Sequence, residues 1–373
     1  MAMKYPVMWA LGLMSGTSLD GVDAALVKTD GVHIFEKGPH MTVPFEEDLF
    51  KALHDAVHLR GDIAKTQRDM TKMHGEVVKR LLREANMDRR QIGVIGFHGQ
   101  TISHRPKEGI TWQIGDGALL AGLTDIDVVC DFRSRDVAAG GEGAPLVPLY
   151  HAALAGGMSL PVAVLNIGGI ANVTWIGKSE AAGEGIMSYD ILAFDTGPGN
   201  VMLNEWVRKH IGKAFDEGGE LARKGRVFEN IVDDFMAHDY FKKEPPKSLD
   251  RNDFNINELN NLSVEDGAAT LTEFMVRSVK DAVTHFPAPP KTWLVTGGGR
   301  HNYAIMKGLS ELLPGVAPVE TVGWEGDALE AQAFAFLAVR SLYNLPLSLP
   351  TTTGTSFAVT GGAHYRAGYY NVR

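Results

Sequence analysis

Cysteine is almost absent from this chain of 373 residues: Cys130 stands alone. No intrachain disulfide can form, and one sulfur cannot build a thiolate metal site. Cys130 lies in the apolar run "DVVC" and reads as a packing residue. Long hydrophobic runs are also missing. The N-terminal run 6–14 is too short to cross a bilayer, and no cleavage pattern of a signal peptide follows it. A cytoplasmic address without membrane contact is therefore expected. Positive charge is in deficit, with 36 Lys and Arg against 45 Asp and Glu and a net charge of −9. That balance argues against a nucleic-acid partner, which needs a basic face. It leaves room for a nucleotide held by a few local donors. Several catalytic signatures are lacking too: no GxxxxGK[ST] phosphate loop, no HExxH, no paired His/Cys spacing and no GxSxG elbow.

The composition that remains, 45% hydrophobic and 22% charged, is that of a soluble globular protein long enough for two domains. Short apolar runs alternate with helical periodicity, which argues for α/β layers. "VMWALGLM" and "VDAALVKTD" read as strands on either side of the small-residue turn "SGTSLDG". Helices are expected at 47–58 and 63–85, and strands at 92–99, 111–115 and 127–132. From residue 161, "PVAVLNIGGIANVTWIG" repeats the order strand, small-residue turn, strand. Two such hairpins suggest a duplicated two-domain architecture. "LAFDTGPGN", a helix at 264–286, the strand "TWLVTGGG" and a closing helix at 327–342 follow. The polar, Pro-containing region 241–263 reads as a surface excursion.

The opening turn offers Ser15, Gly16, Thr17, Ser18, Asp20, Gly21 and Asp23. Glycines bring backbone N–H groups close to a ligand, and successive N–H groups form an anion nest. Asp20 could hold magnesium, directly or through water. A tight hairpin alone would explain Gly21 but not so polar a run. Gly168 and Gly169 form a second turn that could face phosphates or simply close a hairpin. Asp195 follows the strand end "ILAF" and precedes a Gly-Pro-Gly turn. A carboxylate there suits a general base, although an N-cap for the next helix is the alternative. Gly297, Gly298 and Gly299 allow flat contact with a base or ribose. His98, Gln100, Thr101, Arg133 and Asp136 are candidate small-ligand contacts. Glu330 is a carboxylate in an otherwise apolar helix.

Taken together, "MSGTSLDGVD", "FHGQT", "NIGGIAN", "FDTGPGN" and "TGGGRHN" resemble the anhydro-N-acetylmuramic acid kinase family, within the actin, hexokinase and heat-shock chaperone superfamily. The motifs span nearly the whole chain; 241–263 matches none of them. The resemblance implies a duplicated actin-like (ribonuclease H-like) fold with ATP in the interdomain cleft. It implies domains at 1–158 with 350–373, and at 159–349. Gly16, Thr17, Ser18, Leu19, Asp20, Gly21, Val22 and Asp23 would form the first phosphate hairpin, with Asp20 toward Mg2+. Gly168, Gly169 and Asn172 would form the second, and Gly297, Gly298 and Gly299 would lie against adenosine. Asp195 matches the catalytic base. Gln100, Thr101, Arg133, Asn200 and Glu330 would contact a small amino sugar, and a homodimer is implied. Two other readings stay open: a sugar kinase acting on a free hydroxyl, and a nucleotide-switched interaction protein.

Overall fold

The computed structural model describes residues 4–16, 19–180, 185–249 and 253–368. Its strands are β1 (Met8–Met14), β2 (Gly21–Thr29), β3 (Ile34–Pro44), β4 (Ile92–Phe97), β5 (Gln100–Arg105), β6 (Ile110–Ile114) and β7 (Val128–Cys130). They continue with β8 (Val162–Ile167), β9 (Ile170–Lys178), β10 (Tyr189–Pro198), β11 (Thr292–Thr296), β12 (Val316–Pro318) and β13 (Ala363–Tyr365). The α-helices are α1 (Glu47–Val57), α2 (Ile63–Glu84), α3 (Gly117–Thr124), α4 (Ser134–Ala138), α5 (Pro148–Leu154) and α6 (Asn200–Ile211). Then come α7 (Glu229–Met236), α8 (Val264–Asp281), α9 (Tyr303–Leu312), α10 (Leu329–Leu342) and α11 (Pro350–Thr353).

Two compact units divide the chain. One takes 1–154, 184–186 and 327–373; the other takes 155–183 and 187–326. The first unit contains a sheet ordered β3-β2-β1-β4-β7-β13, in which β1, β4 and β7 run parallel. The second contains a sheet ordered β10-β9-β8-β11-β12, in which β8, β11 and β12 run parallel. Both sheets follow one plan. An antiparallel meander of three strands hands its first strand to a parallel partner. This is the duplication that the two strand–turn–strand segments announce. β8 is buried along nearly its whole length, as strands covered on both faces are, hence its continuous apolar run.

Helix α10 decides where the units divide. It is buried almost all round, the signature of a core helix. A Cβ on Gly12 would come 1.7 Å from the Ala331 carbonyl oxygen, and one on Gly96 would come 2.0 Å from that of Phe334. Glycine on β1 and β4 is what lets the helix backbone lie directly on that sheet. Residues 327–349, expected in the second domain, therefore pack with the first unit. On the opposite face, α2 buries Met70, His74, Val77, Val78 and Leu81 at helical spacing. Its start is fixed by Asp62, whose side chain accepts from the Lys65 N–H.

Four strands had no sequence forecast: β3, β5 and the three-residue β12 and β13. β3 is an edge strand of largely half-exposed or exposed residues, interrupted by Gly38 and Pro39. Among the described residues β5 pairs only with β6, and it carries Ile102 as its one buried hydrophobic residue.

Candidate active site

In the first unit the opening turn sits between β1 and β2. Thr17 and Ser18 lie outside the described residues. The Gly16 carbonyl accepts from the Leu19 N–H at 3.2 Å and from Gln100 Nε2 at 3.2 Å. Gln100 is fully buried, and its Oε1 has no hydrogen-bond partner among the described residues. A buried acceptor left open is costly unless a ligand completes it. The side chains of Leu19 and Val22 belong to the hydrophobic core, so only their backbone can meet a ligand. Gly21 has a packing reason to be glycine: a Cβ would come 2.3 Å from the Val43 carbonyl on β3.

Acids gather on this unit. Asp20 is exposed and Asp23 half-buried. Burial raises the Asp23 pKa, opposed by a 2.6 Å hydrogen bond from Thr42 and reinforced by Asp327 and Asp20. Glu330 is reached by solvent, yet protein crowds its carboxyl, and that desolvation raises its pKa against the pull of Arg133. Arg133 is itself desolvated, with its pKa down to about 10, while Glu330 and Asp136 favour its charge. It donates to the Gly143 carbonyl at 2.6 Å and to His98 Nε2 at 3.0 Å. His98 Nδ1 stands 2.7 Å from the Gly99 carbonyl. Both ring nitrogens are thus occupied, and burial with Arg133 alongside pushes the His98 pKa well down. His98, a candidate ligand contact by sequence, instead steadies Arg133. Asp136 is likewise taken up internally, accepting from Gly143 N–H, Thr353 Oγ1 and Ser348 Oγ. Thr101 is half-buried and accepts from Gln113 at 3.2 Å. A cavity of about 230 Å³ opens at the C-terminal ends of β4 and β7, lined by His98, Gly99, Trp112, Asp131 and Ser134 among others. Open α/β sheets place ligands at such strand ends. Cys130 borders it, with burial pushing its thiol up to about 12, so it stays protonated and inert.

In the second unit three glycine motifs converge. The carbonyls of Gly168 and Gly169, in the turn between β8 and β9, accept the N–H groups of Gly199, Asn200 and Val201 at the start of α6, at 2.8–3.1 Å. Asn200 Nδ2 donates to the Ile167 carbonyl at 3.1 Å. The glycines then fall into two classes. Gly297 has φ 75°, and a Cβ there would come 2.4 Å from Asn166 Oδ1. One on Gly299 would meet the Ile167 side chain at 2.3 Å, and one on Gly199 the Gly168 carbonyl at 2.4 Å. These three are glycine for the fold. Gly168, Gly169 and Gly298 are not: their nearest neighbours to an added Cβ lie at 3.6, 3.9 and 3.9 Å, with no positive φ. Among the described residues an added Cβ there meets only ordinary van der Waals contact, so these three glycines leave a cradle with room beside Asn200.

Asp195 lies inside β10 rather than at its end. The helix that follows is capped by Gly199 without a side-chain bond, so Asp195 is not its N-cap. In the ladder Asp195 stands opposite Asn172, Asn172 opposite Asn166, and Asn166 opposite Thr296. Cross-strand partners share a face. A polar row therefore crosses four strands of the sheet and ends on Asp195. Asn172, expected at phosphates, is the cross-strand neighbour of Asp195. Asn166 was not anticipated. A polar residue closing the apolar run "VAVL" was its only signal.

Comparison with known proteins decides the family. The family model described as anhydro-N-acetylmuramic acid kinase matches residues 8–367. The chain belongs to that family. It is 52% identical to the anhydro-N-acetylmuramic acid kinase of Paramagnetospirillum magneticum, covering 96% of this chain and 99% of that protein. It is 51% identical to the one of Rhodospirillum rubrum, covering 96% and 94%. The chain is accordingly an enzyme, a kinase. Among solved structures it is similar to a dehydratase activator from Clostridium difficile with bound ADPNP, at 11% identity, TM-score 0.42, covering 90% of this chain and 97% of that one. A ROK hexokinase from Thermus thermophilus matches at 14% identity, TM-score 0.40, covering 89% and 100%. Likeness that distant says nothing about chemistry. Among the described residues no helix is long and apolar enough to cross a membrane.

Proposed function

We propose that this kinase uses ATP to convert 1,6-anhydro-N-acetylmuramic acid into N-acetylmuramic acid 6-phosphate, in the recycling of cell-wall amino sugar. The relatives' shared name and the family match support the reading. The observation that carries it is the cradle of Gly168, Gly169 and Gly298, open where a Cβ would otherwise stand. Such a cradle suits close backbone approach by a nucleotide. Gly297 and Gly299 hold it in shape, and Asn200 stands beside it.

The substrate's anhydro bridge leaves no free O6 hydroxyl to deprotonate. Asp195 takes a proton from a single ordered water as that water's oxygen bonds to the anomeric carbon. The bond from that carbon to the bridging oxygen breaks, and the departing O6 takes the γ-phosphoryl group of ATP, leaving ADP. Glycoside cleavage ordinarily needs a second carboxyl to protonate the leaving oxygen. Here phosphorus captures that oxygen, so one base suffices. Gln100, with its open Oε1, then Thr101, Arg133 and Glu330 hold the sugar.

Magnesium suits the acids of the opening turn. No cluster of three or more His, Cys, Asp or Glu is poised to hold a metal among the described residues. Exposed Asp20 beside half-buried Asp23 fits an ion that keeps several waters and is completed by phosphates. It would supply charge neutralisation on the transferred group. Gly16, Leu19, Gly21 and Val22 would offer backbone groups there, alongside Thr17 and Ser18. We place the enzyme in the cytoplasm as a homodimer, with the sugar-bearing domain formed by the first unit, 1–154 with its C-terminal return from 327.

Asp195→Asn tests the base. Its amide oxygen can still accept from the neighbouring backbone, so fold and ATP affinity stay near wild type. Turnover falls by at least about 10²–10⁴-fold. A variant that turns over normally, or that loses its fold, removes Asp195 from the chemistry.

A further inference from the structure

The region 241–263, expected as a surface excursion, instead buries Phe241, Leu249, Ile256 and Leu259 in a hydrophobic cluster, and its first part is tied to Asp195. The Asp195 N–H donates to the Lys247 carbonyl at 3.0 Å. The Leu249 N–H donates to Asp195 Oδ2 at 2.9 Å. The Tyr240 hydroxyl donates to the Asp195 carbonyl. A segment without any recognisable motif thus grips both the main chain and the carboxylate of the candidate base.

The strap is in turn anchored by a buried amine. Lys247 is 8% exposed. Its Nζ lies 5.0 Å from the ring centre of Tyr240, 5.7 Å from that of Phe194, and 3.2 Å from His285 Nε2. His285 Nδ1 faces Glu244 Oε2 at 3.4 Å. The amine, the imidazole and the carboxylate thus form a continuous polar chain. Phe194 precedes Asp195 directly, so the cage holds the residue before the base as well as the strap beside it. Burying an ammonium is costly, and desolvation does lower the Lys247 pKa. A buried charge adds little net stability, and its best-attested use is to fix one arrangement among several. Tyr240 is fully buried, and desolvation with Asp195 nearby raises its pKa, so its hydroxyl remains a donor at any working pH.

We infer that residues 240–249 form a positioning strap for Asp195, in which Tyr240 and Lys247 act through the base's backbone to aim its carboxylate. The inference rests on Asp195 being the base. Both are buried and reach the reaction through Asp195, so both are positioning residues.

The test uses the full chain with 1,6-anhydro-N-acetylmuramic acid and ATP, comparing Tyr240→Phe, Lys247→Met and Asp195→Asn. Tyr240→Phe deletes one hydroxyl, and Lys247→Met keeps the apolar stem while removing the charge. Misaiming a reacting group by about an ångström costs on the order of 10²-fold. Both strap variants are therefore expected to lose about 10- to 100-fold in kcat, with KM for sugar and for ATP within about twofold of wild type. Amide exchange on the 240–249 peptide speeds up while circular dichroism stays that of the folded protein. Wild-type kcat in both variants beside a dead Asp195→Asn overturns the strap and leaves the base intact. An active Asp195→Asn overturns the base, and the strap with it. A fall in kcat that only mirrors a fall in folded protein overturns the strap too, because a merely structural role predicts that result.

Discussion

Gly298→Ala separates a glycine needed by the fold from one needed by a ligand. Its Cβ would have nothing closer than Asn200 Nδ2 at 3.9 Å, and its φ is not positive. Replacing glycine by alanine at a compatible backbone position stabilises by about 0.4–1 kcal/mol, because the unfolded chain loses freedom. For a unit of this size that raises Tm by about 1–4 °C. If ATP lies against this backbone, the methyl takes its space, and overpacking of this kind costs about 1–3 kcal/mol. That cost falls on the complex alone, so KM and Kd for ATP rise about 5- to 150-fold. Thermal melting and isothermal titration read the two effects separately. Gly297→Ala is the contrast: φ 75° and a 2.4 Å clash with Asn166 Oδ1 place its cost, roughly 2–4 kcal/mol, on the fold. A Gly298→Ala protein that melts high and binds ATP as wild type does would refute the cradle as a nucleotide site.

Other outcomes follow from the same structure. Gly12→Ala drives a methyl to 1.7 Å from the Ala331 carbonyl and should cost at least about 3 kcal/mol in chemical denaturation. Buried His74 has its pKa lowered from 6.5 to about 4 by desolvation. The unfolded state therefore takes up the proton first as pH falls. Stability is full above about 6.5, declines between there and about 4, and this one residue accounts for about 2 kcal/mol of loss at pH 5. His74 Nε2 has no partner among the described residues, so His74→Leu should be near neutral at pH 7.5 and flatten that decline. Denaturant titrations at the two pH values check both halves of that statement.

Much of this architecture can be read directly from the sequence. Strands buried on both faces, such as β8, show as unbroken apolar runs, and the turns after β1 and β8 show as small-residue clusters. The strands without forecasts are those where that signal fails: β3, interrupted by Gly38 and Pro39, β5, with one buried hydrophobic residue, and β12 and β13, three residues each. Helix α10 was visible as a helix, but its partner sheet was not, because Gly12 and Gly96 lie far from it in sequence. The glycine motifs were legible as motifs; which glycines serve the fold and which face open space required neighbours. The strap was hidden for a different reason. Two of its three bonds to Asp195 come from main-chain groups of Lys247 and Leu249, about fifty residues away, and backbone bonds leave no mark on residue identity.

In the proposed mechanism Asp195 activates a water which opens the anhydro ring while O6 takes the phosphoryl group. Turnover of 1,6-anhydro-N-acetylmuramic acid and ATP in oxygen-18 water, with the sugar product read early by mass spectrometry against an exchange control, addresses it directly. A phosphorylated sugar with one heavy oxygen at the anomeric carbon and none in its phosphate is the expected product. An unlabelled phosphorylated sugar, or label appearing only in free phosphate, would contradict that mechanism.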